Sequence, residues 1–262
     1  MASAARRSRS APRPHGRHFL RSKRLVEGLV AEAGIGAGDL VLDLGAGAGA
    51  LTRELARHAG RVWAVELDAT LALELDRRFE GTNVRVVRAD AARLRWPDEP
   101  FKVVANIPFD RTTAILRRLL DDPRVPLLAA ELVVQWEVAV KRAAVWPSTL
   151  AGVCWSAWYR FDLVGRLPPS AFAPEPAVDA AVLRIERRRG PVVPEREHAA
   201  YRTFVKRGFA AGRPVVSRLV FKRLGRDLGF APDARASDLD AVQWAALYRW
   251  DPVRRGRRTV ER

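Results

Sequence analysis

Apolar positions along the chain follow two rhythms that take turns. Short β-branched runs at 40–44, 61–66, 84–88 and 101–105 read as strands, and their near-continuous apolarity suits strands covered on both faces. Between and after them, apolar residues recur at helical spacing over 50–58, 70–79 and 113–120. An earlier helix is predicted from Ser22, a good N-cap, to about Gly34, with Leu25, Val26, Leu29, Val30 and Ala33 on one face. Further strands are expected at 127–134, 153–161 and 178–186, with a helix over 136–144 and a proline-broken loop over 168–176. Strands alternating with helices of this length imply right-handed βαβ units and a mainly parallel sheet. Beyond a linker at 186–194 the pattern becomes helical and basic.

This gives an α/β chain in three parts. A basic arm at 1–17 is too polar and proline-rich to fold alone. A Rossmann-like domain spans 18–189, and a small α-helical domain spans 190–262. Charge supports that division. The chain carries a net +16, yet residues 1–24 hold eight basic and no acidic residues, 190–262 hold sixteen and eight, and the body between is balanced at 22 of each sign. An excess confined to the two ends points to a polyanion gripped there. The cations expected to contact it are Arg17, Lys206, Arg207, Arg213, Arg218, Lys222, Arg223, Arg254, Arg255, Arg257 and Arg258. Cys154 is the single cysteine and sits in a Trp-rich apolar segment, so disulfides and thiolate zinc sites are excluded and a core position is expected. No apolar run suits a membrane span or a secretory leader, and a cytoplasmic, monomeric protein is expected.

The chemistry gathers at the ends of the predicted strands. Val41-Leu-Asp-Leu44 runs into Gly45-Ala-Gly47-Ala-Gly49-Ala50, a strand, glycine turn and helix start that lets backbone approach a ligand closely. Gly45, Gly47 and Ala50 also satisfy the dinucleotide fingerprint, and Glu66 ends the next strand, where a ribose-binding acid serves either ligand. The third strand leads into Asp90, a carboxylate suited to an adenine amine, although an aspartate there is also a common helix cap. The fourth ends in Asn106-Ile107-Pro108-Phe109. On its own that tetrapeptide is an ordinary turn. After three nucleotide-site signals it reads as the reacting site of a methyltransferase acting on an exocyclic adenine amine. The N6 lone pair is delocalised into the ring. Two acceptors, the Asn106 side-chain oxygen and the Ile107 carbonyl, would draw the nitrogen toward tetrahedral geometry. Pro108 restricts Ile107 to extended backbone, and Phe109 offers a face for stacking. Phe172 is expected to close the other face of the base.

The chain resembles the ribosomal RNA adenine dimethylase superfamily, and most closely the Erm methyltransferases of actinomycetes. The resemblance rests on Gly16-Arg-His-Phe-Leu20, Asp43-Leu-Gly-Ala-Gly-Ala-Gly49, Val65-Glu-Leu-Asp68, Ala89-Asp90, Asn106-Ile-Pro-Phe109, Val133-Val-Gln-Trp-Glu137 and Phe172-Ala-Pro-Glu-Pro176. It implies a class I S-adenosylmethionine-dependent methyltransferase fold, with S-adenosylhomocysteine as product and no metal. It also implies methylation at N6 of one adenine of free or nascent 23S rRNA, and loss of macrolide, lincosamide and streptogramin B binding. By the same resemblance, His18 and Leu20 join Gly45, Gly47, Glu66, Asp90 and Asn106 as donor-binding residues. Arg17 stands where the family usually carries Gln, which implies altered affinity rather than inactivity. One methyl or two is left open. The sister enzymes that dimethylate adjacent adenines of 16S rRNA share these motifs. A DNA adenine methyltransferase would need a base-reading module, and none is evident. Two further readings are a non-catalytic RNA-binding factor on a methyltransferase fold, which the intact Asn106 opposes, and an NAD dehydrogenase, which lacks a well-placed histidine.

Overall fold

The computed structural model describes residues 18–144 and 147–253. Its centre is a seven-stranded sheet built from β2 (Leu40–Leu44), β3 (Arg61–Glu66), β4 (Val84–Arg88), β5 (Phe101–Asn106), β6 (Leu127–Gln135), β7 (Tyr159–Leu167) and β9 (Ala180–Arg187), in the order β4-β3-β2-β5-β6-β9-β7. The pairs β2–β3, β2–β5, β3–β4 and β5–β6 are parallel, and β9 runs antiparallel to both β6 and β7. All five residues of β2 are buried, as a central strand covered on both faces requires. The strand order reverses direction between β2 and β5, and in open α/β sheets the crevice outside the strand ends at that point takes the ligand.

Helices α1 (Lys23–Glu32), α2 (Ala50–His58), α3 (Ala69–Phe79), α4 (Thr112–Leu120) and α5 (Trp136–Ala143) connect and cover the sheet. Ser22 caps α1 by accepting from the Leu25 N–H at 3.3 Å, as expected. Asp68 caps α3 through the N–H groups of Thr70 and Leu71, which starts that helix one residue before the predicted 70.

Two expectations are corrected. The strand predicted over 153–161 is instead α6 (Leu150–Ser156), started by Thr149, whose hydroxyl accepts from the Gly152 N–H at 3.1 Å, and β7 begins at Tyr159. Gly152, Val153, Cys154 and Trp155 are all buried, and a short helix apolar all round has no periodicity to tell it from a buried strand. The predicted loop at 168–176 contains a two-residue strand, β8 (Phe172–Ala173), which pairs antiparallel with β1 (Phe19–Leu20) across some 150 residues of chain.

The stretch read as a linker is also packed. Arg187 donates to the carbonyls of Pro123, Val125 and Leu127 and to Glu195, and Trp158 Nε1 donates to the Val193 carbonyl at 2.8 Å. Beyond it, α7 (His198–Ala210), α8 (Arg218–Leu228) and α9 (Ala241–Tyr248) form the helical segment. Its aromatics are core. Phe204 lies edge-on to Trp244, and Tyr201 edge-on to Trp158, so one apolar cluster runs from the sheet through α6 into the helices. Cys154 is buried in that cluster, and burial pushes its thiol up to about 12. Among the described residues no helix is long and apolar enough to cross a membrane.

Candidate active site

At the switch point lies a cavity of about 240 Å³, lined in part by His18, Phe19, Gly45, Gly47, Glu66, Asp90, Asn106, Ile107, Pro108 and Phe109. The fold thus gathers the ends of β2, β3, β4 and β5 into one place, because parallel strands present all their C-terminal ends at one edge of the sheet.

The glycine turn is held from behind. The N–H groups of Gly45 and Ala46 donate to the Val65 carbonyl at 2.8 and 3.0 Å, and the Gly47 N–H donates to Glu66 Oε2 at 2.8 Å. Glu66 also accepts from the Asp68 N–H at 2.9 Å, so one carboxylate fixes the turn and the start of α3. Gly45 and Gly47 have φ of 83° and 55°, in the left-handed region that disfavours side chains. A Cβ on Gly47 would stand 2.6 Å from Phe19 Cε1, and one on Gly45 would stand 3.1 Å from Pro108 Cδ. Behind the turn Asp43 is 1% exposed and accepts from the Thr52 hydroxyl at 2.7 Å. Burial pushes its carboxyl up to about 7; the Thr52 hydrogen bond opposes that rise and the Glu66 charge adds to it.

Asp90 lines the cavity and also caps a turn: its Oδ1 accepts from the Ala92 N–H at 2.9 Å. The capping expected of this residue is met at a turn rather than a helix, and its second oxygen leaves a carboxylate at the cavity wall.

On the acceptor side, Asn106 Nδ2 donates to the His18 carbonyl at 2.6 Å. A carbonyl only accepts, so this contact fixes which end of the amide faces His18 and leaves Oδ1 as the end without a protein partner among the described residues. His18 Nδ1 lies 2.8 Å from the Pro174 carbonyl and must donate to it by the same argument. The His18 ring flanks Phe109 at 5.4 Å, tilted by 36°.

Other expected residues fall elsewhere. Phe172 is fully buried and packs edge-on beneath Phe109 at 6.3 Å; it braces that ring and does not line the cavity. Leu20 turns to the apolar cluster of α1, and its neighbour Phe19 lines the cavity in its place, since adjacent strand residues face opposite sides. Lys206, Arg213, Arg218, Lys222 and Arg223 are exposed on the helical segment, and Arg213, Arg218 and Lys222 border a separate hollow. Arg207 is committed to the fold: its Nη2 bonds both oxygens of buried Asp251 at 2.7 and 2.8 Å. Arg17, Arg254, Arg255, Arg257 and Arg258 lie outside the described residues. The lining also includes Leu67, Asp110 and Arg111, which were not anticipated. Leu67 directly follows Glu66, and Asp110 and Arg111 are the two residues after Phe109, and that adjacency was the available signal.

A family model described as ribosomal RNA adenine dimethylase matches residues 10–227. The chain is 39% identical over 208 residues to an rRNA adenine N-6-methyltransferase of Corynebacterium diphtheriae, covering 75% of this chain and 77% of that one. It is 37% identical over 196 residues to the mycinamicin-resistance protein MyrB of Micromonospora griseorubida, covering 72% and 62%. A ribosomal RNA small subunit methyltransferase A from a Synechococcus species matches at 35% over 202 residues, 71% and 72% of the two chains. Among solved structures, the 23S rRNA methyltransferase ErmE superposes with a TM-score of 0.78 at 28% identity, over 88% of this chain and 98% of that one.

Proposed function

The chain belongs to the ribosomal RNA adenine dimethylase family, S-adenosylmethionine-dependent enzymes that methylate N6 of rRNA adenine, and from that premise we propose that it modifies a single adenine of 23S rRNA and so confers macrolide, lincosamide and streptogramin B resistance. The observation that carries the N6-transfer part of this reading, which the 16S sister enzymes would share, is the Asn106 amide. Its nitrogen is tied to the His18 carbonyl, which leaves Oδ1 to accept in the cavity that also holds the glycine turn, Glu66 and Asp90. The similarity to ErmE, a 23S rRNA methyltransferase, favours the large-subunit target, and that to MyrB, a mycinamicin-resistance protein, favours a role in resistance.

The lining suits the donor. Glu66 would take the ribose hydroxyls and Asp90 the adenine amine, with Leu67, Ala91 and Val65 as apolar walls. When bound, S-adenosylmethionine supplies an activated methyl group on a positively charged sulfur. Asn106 Oδ1 and the Ile107 carbonyl would accept both N–H bonds of the target N6 and aim its lone pair. Phe109, braced by Phe172 and His18, would hold the base plane. Catalysis then comes from orientation and from acceptors placed where positive charge develops on nitrogen. A paired adenine hides N6, so the base must be unpaired or flipped. The exposed cations of α7 and α8, with the arginine-rich ends, would hold the surrounding phosphates. The working form is a monomer acting on free or nascent rRNA.

The relative named for the small subunit favours a second reading, dimethylation of adjacent adenines in 16S rRNA. One experiment separates them. Labelled S-adenosylmethionine is incubated with protein-free 23S and, separately, 16S rRNA, and modified adenines are mapped. A single N6-methylated adenine in the 23S drug-site loop is the expected result, and the same map counts its methyl groups. Two adjacent modified adenines in 16S would transfer the assignment. Donor binding without transfer to either RNA would favour a non-catalytic RNA-binding role.

A further inference from the structure

The contact that orients Asn106 comes from a segment with its own anchorage. β1 pairs with β8, Phe19 opposite Ala173 and Leu20 opposite Phe172, and the Arg21 N–H donates to the Ala171 carbonyl at 2.9 Å. At the cavity end the last tie among the described residues is the His18 side chain, whose Nδ1–H reaches the Pro174 carbonyl at 2.8 Å. Residue 18 thus makes two contacts in opposite senses: its ring donates to residue 174, and its carbonyl accepts from Asn106 at 2.6 Å.

An asparagine amide has two nearly isosteric ends, one donating and one accepting. If the His18 carbonyl moved away, no other protein bond in the described residues would favour one end over the other. The flipped amide would present N–H groups to the target N6, donor against donor. We infer that His18 is a positioning residue for the acceptor amide: its ring clamps residue 18 to the 171–174 segment, and its carbonyl then holds Asn106 with the oxygen outward. This rests on the methyltransferase reading and goes beyond the donor-contact role expected for His18. It places the effect in turnover, because a misoriented amide still permits donor and RNA to bind.

The test compares His18→Asn, His18→Leu and His18→Ala. The Asn side chain carries an N–H donor at the position of Nδ1; Leu fills the same space without one. At saturating S-adenosylmethionine, kcat should fall roughly tenfold in the Leu and Ala variants, the worth of one neutral hydrogen bond. His18→Asn should recover to within about threefold, and in the Leu and Ala variants kcat should fall further than KM for RNA rises. In ¹⁵N-labelled protein the Asn106 side-chain amide resonances, assigned by their loss in Asn106→Ala, should shift in His18→Leu and return in His18→Asn. The idea is overturned if His18→Asn behaves like His18→Leu. It is equally overturned if the variants lose only donor affinity at full kcat, or if the Asn106 resonances stay put in His18→Leu. Failure of the wild type to methylate any rRNA would instead remove the functional reading, and the resonances would still decide the clamp.

Discussion

Asp43 offers a perturbation whose size follows from the structure. Its carboxyl is 1% exposed at the end of β2, directly behind the glycine turn, and burial raises it from 3.8 to about 7. Between those two values the folded protein holds a proton that the unfolded chain has released. The stabilising contribution is therefore complete below about pH 4 and is lost as pH rises through about 7. The full loss is roughly 4 kcal/mol at ~1.4 kcal/mol per pK unit, and more than half of it falls between pH 5 and pH 8.

Asp43→Asn removes the titration and keeps both the volume and an oxygen to accept from the Thr52 hydroxyl. The assay is urea unfolding of both proteins, followed by far-UV circular dichroism at pH 5, 6.5 and 8. Taking the difference between variant and wild type at each pH cancels the titrating groups that do not interact with Asp43. That difference should move in the variant's favour by about 2–3 kcal/mol from pH 5 to pH 8. Stability curves that run parallel across this range would refute the argument, because they would mean that Asp43 ionises equally in the folded and unfolded chain.

Five further outcomes are expected. Asn106→Ala should lower kcat about a hundredfold, the scale for removing one preorganised polar group from a transition state, while RNA affinity measured by filter binding stays within about threefold. Gly47→Ala forces a side chain into a left-handed turn 2.6 Å from Phe19. It should cost about 1–3 kcal/mol in chemical denaturation and weaken donor binding by calorimetry. Arg207→Ala takes the guanidinium from buried Asp251, which keeps, among the described residues, only the weaker Val253 N–H bond at 3.2 Å, and should lower stability by about 3 kcal/mol. Lys206→Ala, one residue away and exposed, should leave stability unchanged and weaken RNA binding at low salt. Charge reversal at Arg218, Lys222 and Arg223 together should reduce the salt dependence of RNA binding; an unchanged slope would remove α8 from the interface.

Much of the site was legible before any coordinates. Alternating strand and helix patterns force parallel strands, and parallel strands bring their C-terminal ends together. Gly45, Glu66, Asp90 and Asn106, each at the end of a successive run, were therefore bound to meet. Residue type then set what each could do: glycines allow close backbone approach, carboxylates can accept from hydroxyls and amines, and an amide oxygen can accept. The resemblance carried by those same motifs agrees with the family matched over residues 10–227.

What the chain order could not reveal depends on partners distant in sequence. Phe19, and not Leu20, faces the cavity because β1 pairs with β8 in one particular register, and a one-residue slip would exchange them. Phe172 lies under Phe109 because β8 enters the core there. Arg207 reads as one more cation in a basic helix until the fold sets it on Asp251, 44 residues away. α6 hid its helical period because it is apolar on every side. Local pattern reports which face of an element avoids water. Which neighbour covers that face, and which of two adjacent residues turns inward, is decided only when distant segments pack.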